Sequence, residues 1–520
     1  MSRATFADIL EQHALGRSDK LALAEDDREI TWLELSERVS RLTGALRAAG
    51  LGRGDRILWL AQNSFRVYEL LCAAAQLGAM VCPANWRWSA AEMAFAIEDF
   101  DPAVIFWQED EIGATVREAR AMSPHSRHWL DADDGYEAFL GAGSATSPVG
   151  GVSADDALLV IYTAAIHGRP AGSMLSQHNL LRMGAATAWA YSIGPQTVFL
   201  NSGPMFHIGN FQIAGIPTFT MGGTNVILRR PDPQAVLETL ERRGCTSAFL
   251  MPATIADVVG LQQQQQRDLS AFRANAAIPL WAGIVQFDDV PATRISGGMG
   301  YGQTEITGLN VMPAFGGGSI GNAGWPAPGL VVRLLDADGT EVSDGEAGEI
   351  CARGDMVHLG YWNRPEINAN RFRAGWWRTT DLGCRESDGS ISFIGTMTRM
   401  IKSGAENIFP AEVEKALESH PAVRQAAVIG IPNPRFLQDV KAIVVLAPDA
   451  NVTEAELIEH CRSIIASYKK PKSIEFATEI PMLGPAKDYA ALDERYGGGG
   501  YPGGVNLGGG AEHAIARTAT

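Results

Sequence analysis

The periodicity of residues 31–86 constrains the fold more than any other feature of the chain. "TWLELSERVSRLTGALRAAG" (31–50) is a helical pattern closed by Gly50, and "DRILWLAQ" (55–62) is a short buried strand. "SFRVYELLCAAAQLG" (64–78) is a second helix, and "AMVCPANW" (79–86) is a strand running into a turn. Helix and strand periods alternating at this spacing predict an α/β sheet with helices on its faces. A second round follows, with "TVFLNSGPMFH" (197–207), "TNVILRR" (224–230), the helix "PQAVLETLERRG" (233–244) and the strand "TSAFLMP" (246–252). The "QQQQQ" run (262–266) extends a surface helix and carries no chemistry.

From about residue 320 the texture changes to short β runs between turns, "VVRLLDADGTEV", "GEICARG" and "ISFIG", which fit a small antiparallel barrel or sheet. After "FIGTMTRMIKSG" (393–404) comes a compact α/β block. At 520 residues the chain exceeds one ordinary core. The expected organisation is a large N-terminal domain, 1–396, of layered α/β subdomains with a small β-barrel-like part. A small C-terminal α/β domain, 397–495, follows, and then a glycine-rich flexible tail, 496–520.

Composition narrows the partners. Hydrophobic residues at 46% and charged residues at 20% make a globular chain, and a net charge of −16 argues against nucleic acid, whose phosphates demand basic stripes. The most apolar stretch, residues 70–84, falls short of the roughly 20 residues a membrane span needs. The N-terminus, an amphipathic helix pattern, lacks the apolar centre of a signal peptide. The six cysteines form no CxxC pair and no zinc spacing, and read as reduced core residues of a cytoplasmic protein.

One stretch suggests phosphate chemistry. In "YTAAIHGRPAGSMLSQHN" (162–179) a strand enters a loop with Gly168 and Gly172, and the pattern turns helical at Ser176. Strand, glycine loop and helix gather backbone N–H groups around a phosphate. The loop has no lysine and few hydroxyls. Four further segments follow in order: "PMFHIGNF" (204–211), "GGMGYGQTEITG" (297–308), "GWWRTTDLG" (375–383, an aspartate in a turn) and "IKSGAENIFPAEVE" (401–414). "GEI..RG....GYWNRPE" (348–366) and "YKKPKSIEF" (468–476), a basic turn before a strand, complete the set.

This order resembles the adenylate-forming (ANL) superfamily, specifically acyl-CoA synthetases, over residues 30–495. The family's phosphate loop reads YTSGTTGxPKG. Here Tyr162, Thr163, Gly168, Pro170 and Gly172 match, while Ala164, Ala165, Ile166, His167 and Ala171 do not. The resemblance implies a carboxylic acid–CoA ligase with ATP, Mg²⁺ and CoA, and a mobile C-terminal domain. A carboxylate attacks the α-phosphorus of ATP, pyrophosphate leaves, and a thiolate then displaces AMP. It also implies the roles. Glu305 holds Mg²⁺, Thr304 reaches the α-phosphate, Tyr301 with Gly302 meets the adenine and Asp381 accepts from the ribose. Thr163, Gly168, Arg169 and Gly172 face the phosphates, and His207 lines the acyl pocket. Lys487, in "PMLGPAKDYAALD" (481–493), takes the place of the family's late catalytic lysine. The hinge stretch "GTMTRMIK" has Thr396 where the family has arginine and Thr398 at the pivot, and Arg399 is the substitute charge.

Each position also has a plain structural reading: a turn cap for Glu305, a turn aspartate for Asp381, a core histidine for His207, a surface lysine for Lys487. The acyl pocket is expected from residues 205–225, 281–302 and 309–315, with Gly215 on its wall, and favours a fatty or hydrophobic cyclic acid. Two rivals stay open: a carrier-protein thiol as acceptor, and a non-catalytic relative that binds AMP or acyl ligands with a degraded phosphate loop. A homodimer is likewise left open.

Overall fold

The computed structural model describes residues 3–124, 128–163, 170–273, 279–285, 300–315, 324–397, 399–404, 406–483, 486–499 and 505–506. The helix Arg66–Leu77 explains the architecture around it. Every residue from Val67 to Leu77 is buried, as expected of a helix with no polar stripe packed on more than one side. Its core neighbours come from two sheets, including Ile57, Val81 and Leu159 of one and Leu23 and Ile227 of the other. Gly78, in the left-handed conformation, ends it and turns the chain into the strand Met80–Pro83.

The first sheet runs His128–Asp131, Val104–Trp107, Arg56–Leu60, Met80–Pro83, Ala157–Thr163 and Ala171–Ser176, parallel except for the last strand. The second runs Ser247–Ala248, Val198–Asn201, Thr224–Ile227, Leu21–Glu25 and Arg28–Thr31, again parallel except at its end. The α/β expectation holds.

One local expectation holds only in part. The loop after Thr163 leads into the antiparallel strand Ala171–Ser176, and the helix Gln177–Tyr191 begins only afterwards with Ser176 as its cap. The helix thus starts at Ser176 as expected, but Gly172 lies in a strand that separates this helix from Thr163 and not in a loop that opens it.

The expected small β region is an antiparallel sheet of Leu330–Leu335, Ala347–Gly354, Trp376–Arg385 and Ile391–Thr396, joined by Val505–Asn506 on its edge. Beyond it the C-terminal unit packs the helices Pro410–Glu418 and Glu454–Ile464 on a sheet whose longest strands are Val423–Asn433 and Leu437–Leu446. Among the described residues no helix is long and apolar enough to cross a membrane. The six cysteines are free thiols.

Candidate active site

A cavity of about 530 Å³ opens at the carboxyl ends of the parallel strands of both sheets. Pro83 and Thr163 end two strands of the first sheet, and Gly203 and Leu250 follow two strands of the second; all four line the cavity. Parallel α/β sheets place ligands there, where strand ends and loops converge.

One wall is polar. Tyr301 opens the short strand Tyr301–Gln303, stacks on Phe393 at 5.6 Å and donates its hydroxyl to Asp381 Oδ2 at 2.8 Å. Gln303 Nε2 donates to the same oxygen at 3.0 Å, and its Oε1 accepts from Trp377 Nε1 at 3.1 Å. Asp381 lies inside the strand Trp376–Arg385 rather than in a turn. The strand admits it through a register break at Leu382 and Gly383 and a left-handed Thr380 (φ 60°). Burial pushes the Asp381 carboxyl up to about 7, against the hydrogen bonds from Tyr301 and Gln303. The residue is half-buried with a face on the cavity, so water in the open cavity offsets part of that shift.

Thr304 and Glu305 occupy the 3₁₀ turn Thr304–Ile306 between that strand and Gly308–Met312. The turn requires glycine beside it: a Cβ on Gly302 would lie 1.8 Å from the Gly308 carbonyl oxygen. Glu305 is 5% exposed, and its Oε1 accepts from the Tyr361 hydroxyl at 2.6 Å. Burial pushes this carboxyl above its ordinary range, opposed first by Tyr361. Thr163 is a second hydroxyl neighbour. Gly172, on the strand opposite Tyr162, leaves no room for a Cβ, which would meet Val160 Cγ1 at 2.8 Å.

The other wall is largely apolar, formed by Phe206, Ile208, Phe249, Leu250 and Leu309, with His207 among them. His207 Nδ1 accepts from the Gly209 N–H at 3.1 Å, which leaves the ring proton on Nε2 in the neutral form. Burial lowers the imidazole to about 4, so His207 is uncharged at neutral pH. Gly215 is not on this wall. It packs on the Tyr68 hydroxyl and Asn201, where a Cβ would meet Tyr68 Oη at 2.6 Å. Phe249, Leu250 and Met251 take part instead.

The third wall comes from the C-terminal unit: Lys402, Gly404, Glu406 and Lys469 reach the cavity. Lys402 Nζ donates to Asn407 Oδ1 at 2.7 Å, and burial lowers its ammonium to about 8. Lys469 Nζ donates to Glu92 and to Glu412, each at 2.7 Å. Arg87 pairs with Glu406 and lies over the rings of Phe206 and Tyr468, at 5.1 and 5.0 Å.

The structure thus gathers Thr163, His207, Tyr301, Gly302, Thr304, Glu305 and Asp381 around one cavity. Lys487 and Arg399 stand away from it. Lys487 Nζ donates to Glu414 Oε2 at 2.7 Å, with Glu418 at 3.6 Å. Arg399 donates to both Asp493 oxygens, at 2.6 and 2.7 Å, beneath Tyr489. Gly168, Arg169 and Thr398 lie outside the described residues. Four participants were not singled out from sequence: Gln303, Tyr361, Lys402 and Lys469. All four fall inside or beside quoted motifs, and the "YKKPK" lysine pair is the one overt signal.

Comparison with known proteins agrees with this geometry. The sequence pattern described as AMP-binding enzyme matches residues 10–362, and that of the AMP-binding enzyme C-terminal domain matches 412–487. A feruloyl-CoA synthase from Amycolatopsis is 34% identical over 466 residues, 88% of this chain and 92% of the relative. An indoleacetate–CoA ligase from Aromatoleum aromaticum is 30% identical over 493 residues, 92% of this chain and 96% of the relative. Among solved structures, a double mutant of o-succinylbenzoate CoA synthetase from Bacillus subtilis superposes with a TM-score of 0.79 at 25% identity, covering 92% of this chain and 96% of that one.

Proposed function

This chain belongs to the AMP-binding enzyme family, and from that membership we propose that it joins a ring-bearing, hydrophobic carboxylic acid to coenzyme A at the expense of ATP. The carrying observation is the division of one cavity into a polar wall of Tyr301, Thr304, Glu305 and Asp381 and an apolar wall around His207. A nucleotide on the first wall and an acid on the second meet at Thr304 and Glu305. The acid oxygen attacks the α-phosphorus, pyrophosphate departs, and the CoA thiolate then displaces AMP from the acyl-adenylate. Such chemistry asks the protein chiefly for alignment and for charge opposite the developing oxyanions.

Each side chain has a task within this reading. Asp381, ionised, accepts from the ribose hydroxyls. His207, neutral with its proton on Nε2, offers a donor to the acid's carboxylate without a charge that would trap it. Glu305 suits Mg²⁺, which takes one or two carboxylates and fills its other sites with phosphate oxygens and water. Bound there, the ion supplies neutralisation of the phosphate charge.

The preference for a cyclic acid rests on Phe206 and Phe249 in the apolar wall and on the named acyl groups of the relatives, feruloyl and indoleacetyl, which carry rings. Residues 1–396 act as the ATP- and acyl-binding domain and 397–495 as a small domain pivoting near 396–399. The pose seen here presents Lys402 to the cavity. Rotation delivers Lys487, whose ammonium neutralises the α-phosphate and carboxylate during adenylation.

The test is pyrophosphate release from ATP and Mg²⁺ with ring-bearing and straight-chain acids, with and without CoA. Release confined to ring-bearing acids, ending in AMP and an acyl-CoA, is expected. Glu305→Gln should abolish adenylate formation, and near-normal turnover by that variant would overturn the site assignment.

A further inference from the structure

The C-terminal unit meets the rest of the chain along residues 85–92, and the contacts there are directional. Asn85 Nδ2 donates to the Tyr468 hydroxyl at 3.2 Å, Ser89 Oγ donates to the Ile464 carbonyl at 2.8 Å, and Arg87 pairs with Glu406. At the centre is Lys469, whose ammonium bridges Glu92 of the large unit and Glu412 of its own. The three side chains are only 3%, 10% and 8% exposed. Exposed ion pairs are worth little, but removing one partner from a buried set leaves an uncompensated charge.

Glu92 is held from its own side. It closes the capping box of the helix Ala90–Phe100, with Oε2 accepting from the Ser89 N–H at 2.9 Å and Oγ at 3.1 Å. Its Oε1 is thereby aimed at Lys469. Glu412 Oε2 is buried without a hydrogen-bond partner, so Lys469 is the group that compensates this carboxylate. If the small unit turns away, Lys469 and Glu412 leave together and Glu92 alone stays behind. The Glu92–Lys469 contact thus exists in one pose only, and a contact made in one of two states shifts the balance toward that state.

We propose that Glu92 and Lys469 are positioning residues for the thiol-transfer half-reaction: their buried pair clamps the small unit in the pose that turns Lys402 to the cavity and keeps Lys487 on Glu414. The proposal rests on the ligase reading above, in which the two half-reactions use different poses. Glu92 does not line the cavity whereas Lys469 does, so Glu92 is the member of the pair whose replacement tests docking without removing a cavity side chain.

The test uses Glu92→Gln, which preserves a capping-box acceptor and leaves the Lys469–Glu412 pair intact. Acid-dependent exchange of pyrophosphate into ATP should stay within about twofold of the parent. Transfer from preformed acyl-adenylate to CoA should slow by about fivefold or more, the low end of measured site couplings. Backbone hydrogen exchange across 85–92 and 464–470, read without substrates, should accelerate in the variant. Equal slowing of both half-reactions, no slowing of either, or unchanged hydrogen exchange would overturn the clamp. A parent protein that exchanges no pyrophosphate with any acid would instead overturn the ligase reading and the transfer role with it. The hydrogen-exchange contrast would then still report whether the pair holds the two units together.

Discussion

Tyr361→Phe should move the pH dependence of the reaction without disturbing the fold around it. The Tyr361 hydroxyl donates to Glu305 Oε1 at 2.6 Å, where burial already raises the carboxyl above its ordinary range. The substitution removes the donating hydroxyl and leaves the ring packing, since the ring stays between His358 at 5.1 Å and Trp377 at 5.6 Å. A hydrogen bond to a charged group is worth about 1.5–3 kcal/mol, and at about 1.4 kcal/mol per tenfold its loss raises proton affinity about ten- to a hundredfold. The acid limb of kcat/KM, measured as acid-dependent pyrophosphate release, should climb by about one to two pH units, with activity returning toward the parent level at alkaline pH. Stability follows the same sign. A carboxyl whose folded value lies above its unfolded one stabilises the fold fully only below the unfolded value. That contribution is lost as pH rises toward the folded value, and the variant extends this window upward. Uniformly scaled activity with an unmoved acid limb would refute the view that Tyr361 acts through the ionisation of Glu305.

Two further outcomes follow from the polar wall. Burial raises the Asp381 carboxyl, up to about 7 before cavity water offsets part of the shift, so ATP affinity by calorimetry should weaken as pH falls from 8 through the range in which this carboxyl gains its proton. Asp381→Asn should bind weakly with no such slope, and an equal slope in the variant would locate the titration elsewhere. Gly302→Ala must open the hairpin, because its Cβ would sit 1.8 Å from the Gly308 oxygen. Overpacking of this kind costs about 1–3 kcal/mol, so in a chain of this length thermal melting should fall by about one to three degrees, and turnover with it. An unchanged melting temperature would refute the pairing of Gly302 with Leu309.

How much was legible in the sequence depended on the range of the interaction. The helix Arg66–Leu77 and the strands beside it were readable because their periods are local. The strand Ala171–Ser176 was not: six residues with a glycine and two serines carry little period, and its identity comes from pairing with Ala157–Thr163. "TTDLG" reads as a turn because Asp and Gly favour turns, yet the sheet holds it extended and absorbs the conflict at Thr380 and the register break. Tyr301, Thr304, Glu305 and Asp381 were named by motif order and do share the cavity. Lys469 was read as part of a basic turn because its partner Glu92 lies 377 positions away, a separation no local pattern registers.

The distribution of ion pairs bears on how such a unit moves. Within the C-terminal unit the charges close on one another: Lys487 on Glu414, Arg399 on Asp493, and Lys441 on Glu475. Glu414 is itself fixed by the Val428 N–H at 2.8 Å and by the Tyr489 hydroxyl. A rotation that carries these pairs along strands none of them. Across the boundary, among the described residues, the ion pairs are Lys469–Glu92 and Arg87–Glu406, together with the more exposed Arg435–Asp257. The proposed exchange of one docking pose for another is best served by internal charges already satisfied and a short set of external contacts to exchange. The Lys469–Glu92 pair is the most buried of these contacts, which is why the proposed clamp is placed there rather than on the solvated Arg435.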